Sequence, residues 1–155
     1  MDSYLLLKTV HLVGAVIFIG NIVVTAWWKV MADRTGDPKI VAFAQRQVTL
    51  TDWAFTFTGV MLVAVGGIGN ARLHGMDMTA TWLVLGNVLF AASGVIWIAI
   101  LIPLQTKLAR MAREFASAPT IPESYWRLER MWGFFGSVAT LLPLGNIVVM
   151  VFKFA

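Results

Sequence analysis

Apolar and polar positions fall along this chain in long blocks. The segments 9–28, 53–71, 78–106 and 131–152 contain no Asp, Glu, Lys or Arg, giving uncharged runs of 20, 19, 29 and 22 residues. Roughly 20 apolar residues cross the hydrocarbon core of a bilayer as an α-helix. The pattern therefore predicts an all-α polytopic membrane protein, a bundle of four transmembrane helices with spans at about 5–28, 53–70, 79–104 and 131–153. At 155 residues the chain has room for a single such unit, 1–155.

Local signals punctuate the blocks. Trp27, Trp28 and Lys29 read as an interface anchor, aromatic belt followed by cation. Asp33-Arg34-Thr35-Gly36-Asp37-Pro38 reads as a turn, and 39–50 as an interfacial helix. Thr49-Leu50-Thr51-Asp52 and Thr120-Ile121-Pro122-Glu123 have capping-box spacing, which makes Asp52 a cap for the second span. Thr56, Gly59, Val63, Gly66 and Asn70 form a stripe of mostly small residues that suits close helix packing, and Gly133, Gly136 and Thr140 offer another edge. Such edges also allow a homodimer. Pro143 predicts a kink in the fourth span.

Composition sharpens the class: 59% of residues are apolar and 13% charged, against about 45–50% and about 25% in soluble domains. A soluble enzyme, a disordered tail and a nucleic-acid binder are excluded. The net charge of +4 follows from topology, since nine of the twelve Lys and Arg lie in 29–52 and 107–130. By the positive-inside rule both termini and the 72–77 loop face away from the cytoplasm. The first run is too long, and its start too poor in basic residues, for a cleaved signal peptide. Cysteine is absent, which removes thiolate chemistry and disulfides.

An ionisable residue inside a span is a functional-site candidate by default. His11 lies six residues into the first span, roughly 9 Å deep at 1.5 Å per residue. Lys8, His11, Ala15, Phe18, Ile22 and Thr25 share one face. Two readings stand. In one, His11 is an axial ligand to haem b, with Lys8 and Arg72 as propionate partners and His74 as a second ligand if its loop folds inward. In the other, the imidazole hydrogen-bonds a neighbouring hydroxyl or backbone carbonyl. In the outward loop, His74, Met76 and Met78 are a soft donor set suited to Cu(I). Asp52, if buried against Lys29 or Lys107, becomes a proton site. No Ser/His/Asp set, paired intramembrane carboxylates or phosphate-binding loop is present, so no catalytic residue is assigned.

Leu6-Leu7-Lys8-Thr9-Val10-His11 resembles the opening helix of two groups of bacterial membrane proteins. One is a family of predicted integral membrane proteins of unknown function. It resembles this chain at Ala32-Asp33-Arg34, Asp37-Pro38, Asp52, Trp82-Leu83, Pro103-Leu104-Gln105, 122–127 and 149–153. The other comprises the HemJ-type membrane protoporphyrinogen oxidases and the copper-resistance D proteins, similar only in part. There L-K-x-x-H maps onto Lys8 and His11, implying haem b, and a closing motif corresponds loosely to 149–154. The oxidases' Lys and His in the third span have no counterpart here. The resemblance implies a multi-pass protein of the bacterial inner membrane, with a redox role exchanging electrons with quinone or another partner. A non-enzymatic membrane subunit or copper-handling protein is the alternative.

Overall fold

The computed structural model describes residues 2–153. Four helices long and apolar enough to cross a membrane make up the chain: α1 (Ser3–Asp33), α2 (Pro38–Leu73), α3 (Thr81–Phe115) and α4 (Glu123–Phe152). No strand occurs among the described residues. Each helix extends beyond its uncharged run. At about 1.5 Å per residue the 31 residues of α1 reach ~46 Å, well past a ~30 Å hydrocarbon core. Successive helices run antiparallel. One end of the bundle, the termini end, carries the start of α1, the end of α4 and the 74–80 connection; the other carries the two basic connections.

The helix starts differ from the capping-box expectation. Asp2 caps α1 through the amide of Tyr4, at 2.9 Å. Asp37 caps α2 through Lys39 and Ile40, with Pro38 in the first turn. The turn narrows to 34–37, closed by Gly36 at φ +64. Thr49 and Asp52 lie inside a helix already running, so neither starts one. Before α4 stands Pro122, with no side-chain cap. A capping motif acts only where the backbone amides are unpaired; at 49–52 the preceding turns already pair them.

Two helices contain a single π turn, Asp52–Thr56 in α2 and Trp97–Leu101 in α3. The second precedes Pro103, whose missing N–H and bulky ring oblige the helix to relax upstream. Pro143 strips its partner from the carbonyl of Ala139, four residues back. The Ser93 hydroxyl of α3 donates to that carbonyl at 2.8 Å, so the proline becomes a point of attachment between α3 and α4.

The helices associate as two antiparallel pairs, α1 with α2 and α3 with α4. The stripe on α2 packs as its spacing predicts. A Cβ on Gly59 would lie 2.7 Å from the Phe18 nitrogen, one on Gly66 2.5 Å from the His11 nitrogen, and one on Gly14 2.7 Å from the Val63 nitrogen. Backbone meets backbone there because no side chain intervenes. The edge expected at Gly133 and Gly136 is not used within the chain, since a Cβ at either would meet nothing within 4 Å.

At the basic end the two pairs join. The first half of α2 packs on the last half of α3, and Val41, Leu108, Ala112 and Phe115 enclose Tyr125 at the start of α4. At the termini end the pairs part. The 57–73 portion of α2 and the 81–96 portion of α3 make no close backbone approach, and a cavity lies between the pairs.

Candidate functional site

The cavity at the termini end has a volume of about 140 Å³ and draws its wall from all four helices and the 74–80 connection. Lys8 and His11 come from α1, Gly67 and Asn70 from α2, Trp82, Asn87 and Phe90 from α3, and Asn146 and Met150 from α4. Met76 and Met78 reach it from the connection. That connection is shaped by Gly75 at φ +60 and by Asp77, which accepts from the Thr79 hydroxyl at 2.6 Å and amide at 2.9 Å. Those two bonds, the hydroxyl's first, hold the Asp77 carboxyl below its ordinary value.

His11 lies against the backbone of α2. Its Nδ1 is 2.9 Å from the Val63 carbonyl, an oxygen that can only accept, so Nδ1 carries the hydrogen. In the neutral ring Nε2 is then the acceptor. Gly67 makes room for this arrangement, since a Cβ there would stand 2.8 Å from Nδ1. The carbonyl contact belongs to the second reading of His11, yet a backbone carbonyl on one ring nitrogen is also what orients a histidine that binds through the other.

Two oxygens in the wall lack donors. Asn70 is buried and its Oδ1 has no partner; the Asn146 amide donates to the Gly86 carbonyl at 3.0 Å, leaving its own Oδ1 without one. They sit on α2 and α4, one in each helix pair.

The chain belongs to a family of predicted integral membrane proteins, DUF2269. The match covers residues 5–154. No curated protein and no solved structure matches the chain. Membership in DUF2269 places the chain in a membrane and assigns it no activity; Phe154, in the stretch likened to the oxidases' closing motif, lies outside the described residues.

Of the residues singled out from sequence, the structure brings Lys8, His11, Met76 and Met78 to one cavity. Arg72 is exposed and outside the wall. His74 stays on the rim with both ring nitrogens engaged, Nδ1 at 3.2 Å from the Asn70 carbonyl and Nε2 at 3.1 Å from the Ser3 hydroxyl, its ring edge-on to Tyr4. Among the described residues no three His, Asp or Glu side chains gather as a metal site. Asn70, Asn146 and Met150 were not recognised as site residues; the signal was an asparagine within an apolar span.

The charged residues at the basic end also differ from expectation. Lys29 is not an interface anchor: it is 1% exposed, with Nζ 2.6 Å from Asp33 and 3.1 Å from Glu129. It stands 5.5 Å from the Tyr125 ring, and the Tyr125 hydroxyl donates to Gln45 at 3.3 Å. Asp52 therefore pairs with neither Lys29 nor Lys107. Its carboxylate accepts from Thr56 at 2.9 Å and from Asn21 at 3.4 Å. The Lys29 cluster ties α1 to α4 and so fastens one helix pair to the other.

Proposed function

We propose that this chain is a redox-linked membrane protein whose termini-end cavity takes the ring of a membrane-soluble quinol. The observation that carries the reading is the pair of donorless oxygens, Asn70 Oδ1 and Asn146 Oδ1, on two residues that line a ring-sized space, one from each helix pair. A cavity of about 150 Å³ accommodates benzene, and 140 Å³ is of that size. A buried acceptor left without a donor costs about 1–3 kcal/mol. The two hydroxyls of a hydroquinone supply one donor to each amide, and His11 Nε2 offers a further acceptor. Trp82 and Phe90 offer ring faces. An isoprenoid tail has a way out where α2 and α3 stand apart. The concentration of basic residues at the opposite end supports a location in a cytoplasmic membrane with the cavity facing outward.

A second reading has its own observation. Met76, Met78 and Met150 share the wall with His11, a soft donor set suited to Cu(I) within the present volume. It replaces His74 by His11. Haem b on His11, with Lys8 toward a propionate, requires more: pockets that enclose larger ligands run to roughly 300–1,000 Å³, so a porphyrin demands that the helix pairs separate at this end.

The purified protein titrated with a short-chain hydroquinone, followed by calorimetry, tests the first reading. Saturable binding is expected, weakened about tenfold in Asn70→Leu, the equivalent of roughly 1.4 kcal/mol. Binding to neither protein, with Cu(I) affinity lost in His11→Ala and kept in His74→Ala, selects copper. A Soret band after haem-replete expression, lost in His11→Ala, selects haem.

A further inference from the structure

The two π turns face each other. Trp53, in the turn of α2, and Trp97, in that of α3, have ring centroids 6.5 Å apart. Beneath them lies a second cavity of about 20 Å³, walled by Asp52, Thr49, Gln105 and Thr106 together with the two tryptophans and Ile102. A space of 10–15 Å³ already holds one water. This one holds a single water or an ion of that size.

Its polar wall offers several acceptors. The Thr49 hydroxyl donates to the Gln45 carbonyl at 3.0 Å and the Thr106 hydroxyl to the Ile102 carbonyl at 2.8 Å. With their hydrogens committed to their own helices, both oxygens are left with lone pairs. Asp52 brings a carboxylate that accepts from neutral donors, Thr56, Asn21 and the Gln105 amide, and among the described residues no Lys, Arg or His lies within ion-pair distance of it. Gln105, buried on α3, faces it from the other helix. A carboxylate within a membrane-spanning helix is costly unless compensated.

We propose that Asp52, Thr49, Thr106 and Gln105 form a binding site for a single Na⁺ ion. One carboxylate balances a monovalent charge, whereas Ca²⁺ takes six to eight oxygens and usually several carboxylates. The ion sits between α2 and α3, where the closed basic half of the bundle gives way to the parted half, and it joins the helix pairs there independently of any ligand in the larger cavity.

The test is thermal unfolding of the full chain in detergent, in NaCl and in choline chloride at matched ionic strength. A saturable rise in Tm specific to Na⁺ is expected, absent in Asp52→Asn. Because that variant removes the anchor of two hydrogen bonds, Thr106→Val supplies a milder case. Its hydroxyl is exposed and bonded only to its own helix, so the fold survives and the half-saturating Na⁺ concentration rises roughly tenfold, an oxygen ligand of ~1.4 kcal/mol. Identical melts in the two salts, a Na⁺ response that persists in Asp52→Asn, or stabilisation produced only by acidification, with a proton on Asp52 in place of the ion, would overturn the proposal.

Discussion

The two ends of this bundle are built from similar lengths of helix and do opposite things. At the basic end the largest fully buried side chains of the molecule gather: Tyr125, Lys29, Leu108, Gln45, Val41 and Val48. At the termini end the helix pairs are separated by a cavity. In a bilayer the apolar faces of helices gain little by meeting one another, because lipid is equally apolar. Association is therefore concentrated where polar groups satisfy one another or where glycine lets backbones touch. The basic end has a buried ion cluster linking α1 to α4; the termini end has glycine contacts within the α1–α2 pair and none across to α3. The fold is held together at one end and parted around a cavity at the other.

The largest effect is expected from unfastening the closed end. Lys29→Met leaves Asp33 and Glu129 buried without their cation, and breaking a buried pair by removing one partner costs about 3–5 kcal/mol. Denaturant titration in detergent should show that loss, while replacing Lys29, Asp33 and Glu129 together by apolar residues should recover most of it. If the single and triple variants are equally unstable, the cluster is not what joins the pairs.

A smaller effect is expected midway. Ser93→Ala deprives the Ala139 carbonyl, already stripped of its helical partner by Pro143, of the hydroxyl that donates to it. The cost is about 1–3 kcal/mol for a buried acceptor left unpaired. Pro143→Ala in the same background restores the helical amide and should return that stability. If it does not, the serine is not compensating for the proline.

The membrane spans were legible because charge is excluded from hydrocarbon, and that exclusion is written residue by residue. The stripe Gly59, Gly66, Asn70 was legible for a related reason, since small residues at helical spacing admit a neighbour whatever that neighbour is. What was not legible depended on a distant partner. Lys29 follows two tryptophans and looks like an interface cation; only Glu129, a hundred residues away, makes it a buried one. Thr49 and Asp52 have the spacing of a cap, but a cap needs free amides, and α2 had begun eleven residues earlier, at Pro38. His11 stood out as the imidazole within a span. Its free Nε2 followed only from the Val63 carbonyl, and the asparagines that share its cavity come from α2 and α4.

Hydrogen–deuterium exchange resolved along the chain tests the contrast between the ends most directly. Amides of 41–48 and 108–115 should exchange far more slowly than those of 63–70 and 83–90, because opening free energies follow local packing. A short-chain hydroquinone should slow the second set and leave the first unchanged. Equal protection at both ends, or ligand protection that appears at the basic end instead, would contradict the account.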